Sequence, residues 1–217
     1  MDKFFNIEQI NPNLSLLNER FEEIHKEFKE NVNDLLFMNF GGDAGYYMRD
    51  DVVYKGWKVA PLYGNYKDIS HVNGNLQKYE NMIQIDGELV KVLPNICKLP
   101  ILTQTLIESG INKRVGISVV YPEKEISWHT DIDPEKPDLA IVRGLFGLDI
   151  AEEEGKESFI YLKNKEGVDQ KVTFKNNEFV FFWGRTKHKV ENNLSQPRYM
   201  ICFDQIISRD YLLSLGN

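Results

Sequence analysis

The sequence predicts a mainly β fold with flanking helices (α+β), a double-stranded β-helix or jelly roll. Three observations carry that reading. Ahead of residue 110 the apolar residues recur at helical steps of three and four. Beyond it they fall into short β-rich runs separated by polar turns. A His-x-Asp pair, His129 and Asp131, is then answered far downstream by a single His188, as returning strands of such a roll would allow.

The chain has 217 residues, of which 42% are hydrophobic and 12% aromatic, enough for one sizeable core. The expected organisation is a single domain over 1–217. A helical and loop region over 1–110 packs on a jelly-roll core over 111–207 that carries the metal site. A net charge of -7 argues against a general binder of nucleic acid or anionic membrane, since both require a basic face. Cys97 and Cys202 are the only cysteines, which excludes a disulfide framework and suggests a reducing cytoplasm. The first residues are too polar for a signal peptide, and no apolar run reaches membrane-spanning length. Oligomeric state is not legible.

Leu14, Leu17, Phe21, Ile24, Phe28, Val32 and Leu35 mark an amphipathic helix from Leu14 to about Leu36. Asn11 or Asn13 can cap it, and Pro12 is tolerated in its first turn. His25 is expected on its exposed face. Residues 41–75 are rich in Gly, Tyr, Asp and Asn, with a short strand expected over Gly56–Gly64. Trp57 and Tyr63 within it are candidate substrate contacts, because loops with exposed aromatics often line sites. His71 has no partner at ligand spacing and is left out of the site. Pro100–Gly110 reads as a short helix, with proline at its first position and glycine past its end.

The β-rich runs that follow are Val115–Tyr121, Leu139–Leu148, Phe159–Leu162, Lys171–Phe174, Phe179–Trp183 and Arg198–Phe203. Glu152–Lys156, Lys163–Gly167 and Lys175–Asn177 supply turns between them. Cys202, inside the last run, is expected in the core.

In a strand, residues i and i+2 face the same side, so His129 and Asp131 can share a cavity that His188 reaches from a later strand. Two imidazoles and one carboxylate can occupy one face of an octahedral metal, the arrangement of non-haem Fe(II) oxygenases. Arg143 and Arg198 both sit in apolar runs. A buried arginine requires a paired charge, and two in one barrel suit a small dicarboxylate.

At these residues the chain resembles the aspartyl/asparaginyl β-hydroxylase family, from about Arg114 to Ile206. Ser118 precedes His129 by eleven positions, Arg143 precedes Gly147-Leu148, and Arg198 follows His188 by ten, as in that family. The resemblance implies metal ligands at His129 and His188 and 2-oxoglutarate contacts from Ser118, Arg143 and Arg198. There are three departures. Trp128 abuts His129 directly. Leu145 replaces a histidine of the animal enzymes. Asp131 stands where those enzymes carry glycine, although related bacterial hydroxylases of free amino acids or lipid acyl chains carry the aspartate. Asp131 is expected to bind the metal directly.

The implied activity is that of a dioxygenase using Fe(II), 2-oxoglutarate and dioxygen. It would hydroxylate an unactivated carbon of an amino acid, peptide or related small molecule. Two other readings stay open at this point. A cupin-like metalloenzyme without 2-oxoglutarate would not need Arg198. A non-catalytic jelly-roll binding module would take up no stoichiometric metal.

Overall fold

The computed structural model describes residues 4–39, 56–64, 82–85, 88–91, 94–111, 113–131, 137–164 and 166–215. The chain starts with a two-residue strand β1 (Phe4–Phe5) and a single helical turn α1 (Ile7–Ile10). Asn11 then accepts a hydrogen bond from the Asn13 N–H across Pro12, the cap that the sequence offers.

The amphipathic segment is not one helix. It divides into α2 (Ser15–Glu19) and α3 (Phe21–Asn31), with a 3-10 turn on either side. Periodicity could not reveal the break, because Leu17, Phe21, Ile24 and Phe28 keep their spacing across it and all pack into the same core. At Arg20 the backbone leaves helical geometry, and its guanidinium meets Glu108 at 2.7 Å and Thr105 at 3.3 Å. His25 is not a free surface residue. Its ring stacks on Phe21, and its Nε2 lies 3.3 Å from Asp149.

The first half contributes more than helices and loops. Strands β2 (Met38–Asn39) and β3 (Trp57–Tyr63) extend a large sheet, and β4 (Met82–Ile85) pairs with β5 (Glu88–Lys91) in a separate ribbon. The remainder of the 41–75 stretch, His71 included, lies outside the described residues. Helix α4 (Pro100–Glu108) begins at its proline as expected. Two N-terminal donors without a partner inside the helix are met by a distant side chain: the buried Glu27 carboxylate accepts from Ile101 N–H at 2.7 Å and Leu102 N–H at 2.9 Å.

Eight strands then wind the jelly roll: β6 (Val115–Val120), β7 (Lys124–His129), β8 (Leu139–Asp149), β9 (Ser158–Lys163), β10 (Asp169–Thr173), β11 (Phe179–Trp183), β12 (His188–Asn192) and β13 (Arg198–Ser208). The major sheet runs β1-β11-β8-β13-β6-β3-β2 and the minor sheet β10-β9-β12-β7, all pairs antiparallel. A short helix α5 (Arg209–Ser214) follows.

Alternation along the strands of the major sheet divides the interior in two. Ile117, Phe181, Ile201 and Phe203 face the helices, while Val120, Leu145, Val180, Phe182 and Met200 face the minor sheet. Gly147 of the Gly-Leu pair has a packing reason. A Cβ there would fall 1.9 Å from the Lys175 carbonyl oxygen of the adjoining turn. No helix among the described residues is long and apolar enough to cross a membrane.

Glu27 provides a test of how α4 is held to α3. Glu27→Ala should destabilise the protein by about 1.5–3 kcal/mol, the usual worth of hydrogen bonds to a charged group. Glu27→Gln, which keeps one acceptor, should cost less. Urea unfolding measures both, and equal stability of all three proteins would exclude the bridge.

Candidate metal centre

β7 and β12 are neighbours in the minor sheet, and their register places His129 directly opposite His188. The pairing carries an irregularity. Between the pairs His188↔His129 and Val190↔Ile126, β12 advances two residues while β7 advances three. Strict alternation from Ile126 would turn His129 outward. The extra residue turns it inward instead, a common use of a bulge beside a site.

The two imidazoles lie with ring centroids 4.1 Å apart. His129 Nδ1 is 2.7 Å from the Ser127 carbonyl, and His188 Nδ1 is 2.8 Å from the Thr186 carbonyl. A carbonyl only accepts, so each Nδ1 carries the proton and each Nε2 presents a lone pair to the cavity. Such backbone acceptors fix the tautomer and orientation of metal-ligating histidines.

Asp131 lies just past the end of β7. Its N–H donates to the Gly184 carbonyl at 2.8 Å, which holds it against β11. Its Oδ1 is 4.0 Å from His129 Nε2, and its Oδ2 is 4.0 Å from His188 Nε2. One ligand atom from each of the three residues lies within 4.8 Å of the others, so the set can hold one metal ion. The donors are two neutral imidazoles and a carboxylate on one side of an open cavity, a set that fits a divalent ion with exchangeable positions.

Burial, then the neighbouring His129, draws the His188 imidazole down to about 4. It is therefore neutral at neutral pH, the form that ligates metals. Burial pushes the Asp131 carboxyl up, but the Arg143 guanidinium leads the opposing charges and holds it at about 2.

A cavity of about 50 Å³ opens between the two sheets. Its walls bring together the three candidate ligands with Ser118, Arg143, Arg198 and Trp57. Arg198 is 1% exposed and lies over the Phe174 ring at 4.8 Å. Its Nε has no hydrogen-bond partner, and no carboxylate among the described residues is within ion-pair distance of it. Burial lowers its guanidinium to about 9, so it still carries its charge at neutral pH. Trp57 Nε1 donates to Ser118 Oγ at 2.8 Å.

One expectation falls elsewhere. Tyr63 does not reach the cavity. It is fully buried on the helix side of the sheet, and its hydroxyl donates to the Ile111 carbonyl at 2.9 Å. Cys202 packs against the core on the minor-sheet side, as expected, and also lines the cavity wall, where its sulfur accepts from Arg143 at 3.2 Å. Of the apolar walls Ile126, Leu145, Phe182 and Val190, sequence singles out only Leu145, as the replacement of a histidine. Alternation from Arg143 to Leu145 is a further signal for that one.

A profile of the aspartyl/asparaginyl beta-hydroxylases matches residues 18–207. No curated protein matches the chain. Among solved structures, a Pseudomonas putida prolyl-4-hydroxylase is similar with TM-score 0.49 and 12% identity, covering 88% of each chain. A Trichoplax adhaerens prolyl hydroxylase, in complex with a hypoxia inducible factor peptide fragment, is similar with TM-score 0.47 and 15% identity, covering 92% of this chain and 82% of that one. A Lactobacillus farciminis oxalate decarboxylase gives TM-score 0.40 and 10% identity, covering 85% of this chain and 36% of that one.

The buried His188 predicts an acid sensitivity of the metal-free protein. Unfolded, this imidazole takes a proton near its ordinary 6.5; folded, only near 4. Stability is therefore full above 6.5 and falls as pH drops toward 4, by ~3 kcal/mol at 1.36 kcal/mol per unit. Asp131 adds its own loss only below about 3.8. His188→Gln should flatten the loss between pH 7 and 4.5 in urea unfolding. Parallel losses in variant and parent would show that His188 is not buried neutral.

Proposed function

Because the chain belongs to the aspartyl/asparaginyl beta-hydroxylase family, we propose that it is an Fe(II)- and 2-oxoglutarate-dependent dioxygenase. It hydroxylates an unactivated carbon of an amino acid, a peptide or protein residue, or a related small molecule. The observation that carries the co-substrate part of this reading is Arg198, a buried cation facing the cavity without a carboxylate partner among the described residues. Burying such a charge alone costs several kcal/mol, and an anionic ligand entering the cavity would offset that cost. A binding module without an anion, or a metalloenzyme that does not use 2-oxoglutarate, gives no reason to keep it there.

In this reading His129, Asp131 and His188 would hold the iron by one face. The iron with 2-oxoglutarate and dioxygen supplies the oxidising chemistry, while the protein supplies position and shelter from water. Arg198 would take the far carboxylate of 2-oxoglutarate with its planar fork. The Ser118 oxygen already accepts from Trp57, so its own proton is free to donate to that carboxylate. Leu145, Phe182, Ile126 and Val190 would close the cavity to bulk water around these groups. Trp57, on the cavity wall, remains the candidate for substrate contact.

Anaerobic titration should find about one Fe(II) per chain, and His188→Ala should abolish it. Succinate should form from 2-oxoglutarate only with iron present, and panels of amino acids, peptides and lipids should reveal the substrate by stimulating it. Arg198→Ala should weaken 2-oxoglutarate binding by about 2–5 kcal/mol, with lysine rescuing only partly because it loses the fork. Normal binding by the alanine variant would sink the assignment.

A further inference from the structure

Arg143 lines the same cavity as Arg198, but its charge is already committed. Its Nη2 is 3.1 Å from Asp131 Oδ2, its Nε is 3.1 Å from Asp204 Oδ1, and its Nη1 donates to the Cys202 sulfur at 3.2 Å. Two carboxylates thus lie at ion-pair distance from this guanidinium, although the Nε and Asp204 Oδ1 face each other without hydrogen-bond geometry. Asp204, 2% exposed, sits opposite Arg143 on β13 and is also gripped by Arg114, whose Nε and Nη2 both lie 2.7 Å from Oδ2. The result is a chain of alternating charge, Asp131–Arg143–Asp204–Arg114, running from the candidate metal ligand to the start of β6.

We infer that Arg143 is a positioning residue for the metal carboxylate rather than a contact to the co-substrate. Both oxygens face a histidine Nε2 at 4.0 Å, but Oδ2 is also held by Arg143 and Oδ1 is the one that no arginine contacts, so Asp131 would ligate through Oδ1. Anchored by Asp204 from the opposite strand, Arg143 in turn fixes where that oxygen points. Arg198 is left as the sole anion anchor among the arginines of the cavity wall. This inference rests on the proposed metal site, and it concerns how that site is built.

The test separates metal from co-substrate. Mn(II) affinity of the full chain is measured by calorimetry without 2-oxoglutarate, and 2-oxoglutarate affinity is measured at saturating Mn(II). Arg143→Gln should weaken Mn(II) by about tenfold or more, in the range usual for groups that orient metal ligands. Its 2-oxoglutarate affinity should stay within about threefold of the parent, a difference too small for a lost charge pair. Adding Arg143→Gln to Asp131→Asn should bring no further loss of Mn(II), since the two act as a unit. If Arg143→Gln misfolds because Asp204 loses a partner, Arg143→Gln with Asp204→Asn removes both buried charges and is read the same way. Unchanged Mn(II) affinity, or a loss confined to 2-oxoglutarate, overturns the inference and makes Arg143 a co-substrate contact. Failure of the parent protein to take up Mn(II) would instead sink the metal site itself.

Discussion

The structure depends on one backbone irregularity, the extra residue in β7 between Ile126 and His129. Side chains of a strand alternate faces, so a change of one residue in register exchanges the two faces. Ile126 packs inward with Val190 and Leu162. Without the bulge His129 would join the outer face of the minor sheet, opposite the cavity. With it, Trp128 takes the outward place, near Tyr161 and beneath Lys163 at 4.9 Å from its ring. The direct abutment of Trp128 on His129 follows from this, because one residue faces out and the next faces in. Each histidine is then oriented by the carbonyl two residues before it, which makes the geometry local and stiff.

Charge follows from that placement. A cavity between two sheets takes ionised groups only if each is compensated. Asp131, Arg143, Asp204 and Arg114 compensate one another in sequence, and the set is self-neutral. Arg198 stands outside it. The cavity wall therefore holds two unlike arginines, Arg143 within this self-neutral group and Arg198 without a carboxylate partner among the described residues.

Much of the architecture could be read from the chain. Period-2 runs gave six strands of the roll, and Pro100 with Gly110 bracketed α4. Chemical type and spacing pointed to His129, Asp131, His188 and Arg198, the aromatic loop to Trp57 and the family resemblance to Ser118, and all six line one cavity. What escaped was set by events that leave no local signature. Trp57 and Tyr63 are six residues apart and should share a face, yet β3 carries its own register shift between Pro61 and Tyr63, which delivers Tyr63 to the core. The division at Arg20 preserves the apolar spacing and is invisible to it. The strands β1 and β2 are two residues long and exist only because sheet edges were there to receive them. His25 and Cys202 took partners, Asp149 and Arg143, that lie more than fifty residues away.

The two arginines show the same limit most sharply. From sequence, Arg143 and Arg198 are equivalent: each is a cation within an apolar strand, and each must be paired. The difference lies across the sheet. Arg143 has Asp204 opposite it and Asp131 beyond its tip, whereas Arg198 has Val120 opposite and the Phe174 ring beneath. An aspartate at 131 would thus do more than add a ligand. It gives Arg143 an internal partner and neutralises part of its own charge, so a metal held there by two neutral imidazoles and that carboxylate would keep much of its positive charge. Metal and Arg198 would then form two positive points in a cavity whose other walls include Ile126, Leu145, Phe182 and Val190. A ligand anionic at both ends would suit such a cavity, and the leucine at 145 offers it no competing donor.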